Sequence, residues 1–145
     1  MLIQLTIGTI MIGATVILHA LALDFMMRHL RRMEISVLHR MHQIWKPFFL
    51  AATVLWIFTI HVVEIWIWAI LYLSISALPD FETALYFSTT AFTTVGFGDV
   101  VPKHEWRLLG TIEAANGFML FTWSAAFTFE VLSQIYRREA NSIKI

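Results

Sequence analysis

Tyr86-Phe87-Ser88-Thr89-Thr90-Ala91-Phe92-Thr93-Thr94-Val95-Gly96-Phe97-Gly98-Asp99 is a helix-compatible run that ends in two glycines at alternate positions and one acid. A dehydrated cation crossing a bilayer must be given oxygen atoms in place of its water, and a backbone whose carbonyls all turn inward supplies them densely. Turning successive carbonyls the same way puts alternate residues into φ/ψ regions that a Cβ disfavours, and Gly96 and Gly98 stand at such positions. Between them Val95 and Phe97 are free to point away and wedge the loop, while the Thr94 hydroxyl adds an oxygen at the inner end. The stretch therefore predicts a short helix followed by a ladder made of the carbonyls of Thr94, Val95, Gly96 and Phe97 plus the Thr94 hydroxyl.

Thr93-Thr94-Val95-Gly96-Phe97-Gly98-Asp99, preceded by an aromatic-rich helix and followed by Pro102, resembles the signature of the potassium-channel superfamily. A lone Gly-x-Gly is a weak signal; seven successive matching residues are a specific one. A plain glycine turn between two membrane helices accounts for Gly96 and Gly98, but not for the threonine pair or Asp99. The resemblance implies potassium bound at Thr94, Val95, Gly96 and Phe97, with Gly98 completing the filter and Thr93 and Asp99 supporting it. Phe97 stands where many members carry tyrosine, which removes a hydroxyl that can tie the filter to the pore helix. The family resemblance covers about residues 48–136.

The rest of the chain agrees with a membrane setting. In its 145 residues, 59% hydrophobic and only 14% charged, the mean hydropathy is +0.72, outside the soluble range. There is no cysteine, hence no disulfide or thiolate chemistry. The few basic residues are interleaved with a membrane pattern, so no nucleic-acid partner is expected. The expected fold class is all-α integral membrane: three transmembrane helices with a re-entrant pore helix and filter loop, assembled as a tetrameric pore. A closed ring of carbonyls needs several copies of the one loop each chain carries, and the number four comes from the resemblance.

Met1 to Leu23 is apolar and, at about 1.5 Å per residue, long enough to span about 30 Å of hydrocarbon. It is read as a spanning helix and not a cleaved leader, because no Lys or Arg precedes it although Ala20-Leu21-Ala22 has cleavage-site character. Thr9 and Gly13 form a small-xxx-small pair. From Asp24 to Lys46 five basic residues stand against two acids, with apolar residues at helical spacing. This predicts a cationic amphipathic helix at the cytoplasmic membrane surface, with a simple continuation of the first span as the rival reading. Residues 1–47 thus form an N-terminal helix plus linker, 48–136 a pore domain, and 137–145 a short cytoplasmic tail.

Pro47 interrupts the pattern, and Phe48 to Leu78 is the expected outer helix of the pore unit. Within it His61 and Glu64 lie one turn apart, an expensive pair in lipid unless it faces protein, and are read as a satisfied packed pair or a regulatory one. Asp80 is the expected N-cap of a short helix to Thr93, too short to span, whose C-terminal dipole end points at the pore. Trp106 to Tyr136 is the inner helix. Along it Glu113 is level with the back of the filter and within reach of the Ser88, Thr89 or Thr90 hydroxyls. Gly117 is a hinge or packing site, and Met119, Thr122, Ala126 and Glu130 form one stripe, with Glu130 at the inner entrance as a charged ring, a latch to the basic helix or a solvated end.

The combined reading is a cell-membrane, multi-pass potassium-selective channel that conducts passively, with the N-terminus outside and the C-terminus cytoplasmic. Its expected partners are itself as a homotetramer, membrane lipids and potassium, with no cofactor beyond the permeant ion. No voltage sensor is expected, since no apolar run repeats Arg or Lys every third residue. The alternatives are a potassium transporter subunit, whose loops usually keep one glycine and occur four to a chain, and a non-conducting regulatory subunit. An enzyme is not expected, because neither His61 with Glu64 nor His39 with His42 brings a third metal ligand or a general base.

Overall fold

In a computed structural model that describes residues 1–32 and 45–142, the chain is helical, and the side chains of residues 31, 32, 45 and 138–142 also lie outside that description. Helix α1 runs Leu2–Arg32, α2 Trp45–Ser74, α3 Phe81–Phe92 and α4 Arg107–Ser142, with a 3-10 turn at His104–Trp106. Three of these are long and apolar enough to cross a membrane, over Leu2–Leu30, Lys46–Ser74 and His104–Arg137. Inside these helices the hydroxyls of Thr6, Thr9, Thr15, Thr53 and Thr59 donate to the carbonyl four residues earlier, so these five donors are satisfied within their own helix.

Three expected helix boundaries move. The basic segment from Asp24 begins as an unbroken continuation of α1 to Arg32, the rival reading; the remainder, with Arg40, His39 and His42, lies outside the described residues. Helix α2 begins at Trp45, two residues before Pro47, because a first-turn proline gives up an N–H that had no partner in the helix. The domain boundary expected at residue 47 therefore falls inside α2. Its other end comes at Ser74, not Leu78: Ser76 takes φ 52, and Ala77 N–H donates to Tyr72 O and Ser76 N–H to Leu73 O. This paired arrangement closes the helix and sends the chain back toward α3.

Asp80 then starts α3 as expected from its type. Its backbone is extended and its carboxylate accepts from Thr83 N–H at 2.8 Å and from the Thr83 hydroxyl at 2.8 Å. That backbone hydrogen bond holds the Asp80 carboxyl below the usual carboxylate range.

α3 packs on α2 and α4 around Trp68, Tyr72, Phe87, Phe92, Leu109 and Leu120, all buried. α1 lies chiefly along α4, parallel to it: Gly8 faces Ile112, Asn116 donates to Thr15 Oγ1 at 2.8 Å, and Leu30 packs with Val131 and Ile135. α2 runs antiparallel to both, bringing Ile57 and Ile60 against Leu23. The first helix thus shares its buried surface with α2 and α4, which the sequence did not reveal.

Candidate functional site

The end of α3 sets the loop. Thr94 N–H donates to Ala91 O at 2.9 Å and Gly96 N–H to Thr90 O at 3.0 Å, so the chain leaves the helix folded back on its last turn. Positive φ then recurs at alternate residues: Thr94 at 62°, Gly96 at 54° and Gly98 at 79°. A Cβ added at Gly96 or Gly98 would meet nothing within 4 Å, so the demand for glycine there is conformational and not spatial. Thr94 accepts the same conformation with a side chain. Val95 and Phe97 were expected to wedge the loop, yet they are 53% and 71% exposed, so the described residues of their own chain do not cover them.

One side-chain tie holds the loop region to α3, and a second joins the helices behind it. Tyr86, on α3, donates its hydroxyl to Asp99 Oδ2 at 2.7 Å, and this bond holds the Asp99 carboxyl below its ordinary range. It restores at another position the kind of tie that Phe97 lacks. Deeper in the protein, Glu113 accepts from Tyr72 Oη at 2.7 Å and meets Ser88 Oγ at 2.5 Å, all three residues being buried. Of the three candidate hydroxyls Ser88, which is buried, is the one engaged; Thr89 and Thr90 donate to Leu85 O and Phe87 O on their own helix. Ser88 also reaches Ile65 O at 2.9 Å, so this node joins α2, α3 and α4. Thr93 closes α3, its hydroxyl donating to Thr89 O at 2.6 Å.

Gly117 is where the end of α3 presses on α4: a Cβ there would lie 2.0 Å from Phe92 O. Helix α4 runs through this point without interruption. Below it Met119, Thr122, Ala126 and Glu130 are all exposed along one stripe. Glu130 accepts from Gln134 Nε2 at 2.8 Å within its own helix. Of the expected basic latch, Arg28 pairs with Asp24 through its Nε at 2.7 Å, and the side chains of Arg31 and Arg32 lie outside the described residues.

His61 and Glu64 form the expected pair, His61 Nδ1 to Glu64 Oε2 at 2.8 Å, but they are half of a larger ring. His19 Nδ1 meets Glu64 Oε1 at 2.9 Å, and Ser124 Oγ meets His61 Nε2 at 3.0 Å and His19 Nε2 at 3.2 Å. All four residues are buried. Sequence reasoning missed His19, Ser124 and Tyr72, since each meets its partner only across helices, and Tyr86, whose partner Asp99 stands thirteen residues on beyond the loop. The available signal was the presence of a histidine midway along an otherwise apolar first span.

A family model described as an ion channel matches residues 58–134, just over half of the chain. No curated protein and no solved structure matches.

Proposed function

The chain belongs to the ion channel family and is a multi-pass membrane protein; from that premise we propose that it is a potassium-selective channel, built from four copies around the loop Thr94 to Gly98. The observation that carries this reading is the alternation of positive φ at Thr94, Gly96 and Gly98. Residues that alternate between the two backbone hands present successive carbonyls to one side, which is what a dehydrated cation needs.

In the proposed assembly α3 is the re-entrant pore helix, and the negative end of its dipole faces the axis below the loop and favours a waiting cation. The exposed Val95 and Phe97 and the α4 stripe through Met119 are the surfaces that neighbouring copies and the central cavity would take up. The filter shares its side of the protein with the start of α1, where Gln4 Nε2 donates to Glu105 O. This supports an N-terminus and filter mouth outside, with the C-terminus of α4 inside.

The test is current recording from purified protein in planar bilayers with potassium and sodium on opposite sides. A reversal potential that follows the potassium gradient is expected, from particles whose mass corresponds to four chains. A reversal potential that does not distinguish the two ions would overturn the selectivity, and particles that conduct as a different oligomer would overturn the tetramer.

A further inference from the structure

The ring of His19, Glu64, His61 and Ser124 stands on α1, α2 and α4, outside the loop Thr94 to Gly98, and its composition is unusual for three membrane helices. His19, Glu64 and His61 are 0%, 0% and 4% exposed, and among the described residues the ion pairs of Glu64 are to these two histidines. Phe92 and Phe121 lie against His61 and Trp123 against His19, so the ring sits in an aromatic surround.

With both imidazoles neutral and Glu64 ionised, the hydrogen count of the ring does not close. Four contacts link the ring, two from Nδ1 atoms to Glu64 and two from Nε2 atoms to Ser124. A neutral imidazole carries one N–H, a serine one O–H and an ionised carboxylate none, which makes three hydrogens for four contacts. Whichever tautomers are chosen, at least one pair of lone pairs faces each other across a hydrogen-bond distance. If both Nε2–H groups donate to the two lone pairs of Ser124 Oγ, the defect gathers at one place: two bare Nδ1 atoms against an anionic carboxylate.

We propose that this place is a binding site for a divalent transition ion of the zinc class, held by His19 Nδ1, His61 Nδ1 and Glu64. The donor type fits, since two imidazoles and one carboxylate with a further open position is a recurring zinc set. The donor atoms lie within 4.8 Å of one another, and bonds of about 2.0–2.2 Å draw such a set together with small side-chain shifts. A metal-bound histidine needs its other N–H held, and Ser124 is placed to hold both at 3.0 and 3.2 Å. The ion would supply positive charge beside the buried Glu64 carboxylate and fasten α1 to α2, and through Ser124 to α4 below Gly117. Ser124 is then a positioning residue and not a ligand.

The test uses the full chain in detergent, stripped with a chelator and dialysed against zinc alone, with metal per chain and the thermal unfolding midpoint measured. About one zinc per chain and a raised midpoint are expected. His19→Gln, which keeps a polar side chain, should lose that zinc, whereas Ser124→Ala should keep the stoichiometry with affinity lowered about 10–100-fold. Glu82→Gln, on the exposed start of α3, should match the parent. Zinc uptake by the parent no greater than by His19→Gln, or a midpoint that zinc does not move, overturns the site and leaves an added proton as the missing hydrogen. Should His19→Gln fail to fold, the parent against Ser124→Ala decides: the affinity difference supports the site, and its absence overturns it.

Discussion

Gly96 holds φ at 54° with open space around its missing Cβ, so alanine there is opposed by backbone conformation alone, at about 1–2 kcal/mol. That is small beside the stability of a whole membrane protein but large beside the balance of the carbonyl ladder proposed for this loop. Gly96→Ala is therefore expected to insert and assemble while losing selective conduction; potassium currents equal to the parent's would remove the filter assignment. At Asp99 the relevant quantity is proton affinity. The Tyr86 hydroxyl stabilises the carboxylate and depresses its pKa, so the tie is intact at neutral pH and is lost as external pH falls through that depressed value. Tyr86→Phe lets the Asp99 pKa rise toward its ordinary value, so acid loss of current should begin at higher external pH. Asp99→Asn should abolish that acid step, and an acid profile identical in parent and both variants would show that the tie does not serve the pore.

Between elements, the decisive contacts are those of α3 with α4. The 2.0 Å that a Cβ at Gly117 would leave to Phe92 O cannot be relieved by a rotamer change, because the obstacle is backbone. Gly117→Ala is expected to destabilise the protein by about 1–3 kcal/mol or more, read as a lowered thermal midpoint or lost assembly. Gly13 is the matched control: nothing lies within 4 Å of its added Cβ, so Gly13→Ala should be neutral or stabilising by up to about 1 kcal/mol. Equal midpoints for the two variants would mean that α3 does not press on α4 in the folded protein. The Glu113 node works differently, by hydrogen bonding among α2, α3 and α4. Glu113→Gln gives up one of its two oxygen acceptors, at about 1–3 kcal/mol for a buried group left unpaired, and should shorten open lifetimes with the conductance intact. Single-channel records that match the parent's would separate this node from the filter.

At the scale of the molecule, the described residues of one chain leave the face of α4 through Met119, Thr122 and Ala126 uncovered while they bury the opposite face against α1 and α2. If that face lines the cavity, a cationic thiol reagent applied from inside should reduce current in Met119→Cys. The parent contains no cysteine and is its own control. Current through Met119→Cys that the reagent leaves unchanged would turn the stripe toward a neighbour and away from the ions. Glu130, bonded to Gln134 in the single chain, becomes a test of the same geometry. Smaller inward current in Glu130→Gln fits four carboxylates near one axis, and a changed open probability at constant conductance fits a latch.

What the amino-acid sequence by itself determined was local: the spans, from apolar length; the start of α3, from an aspartate before a helix; and the glycine loop, from the backbone conformations that alternate carbonyls demand. These rest on neighbours along the chain, whose spacing is printed in the sequence. The end of α2 escaped because a serine took the left-handed position usually left to glycine. What only the tertiary structure decided was which polar residues meet. Glu113 chose Ser88 over Thr89 and Thr90 by the face it presents, Gly117 proved a point of close backbone approach, and His61 and Glu64 gained His19 and Ser124 from two other helices. In an apolar medium every polar side chain must find a partner, but helix periodicity states only the face on which it looks; which helix stands opposite, and at what depth, is set by packing of the whole bundle.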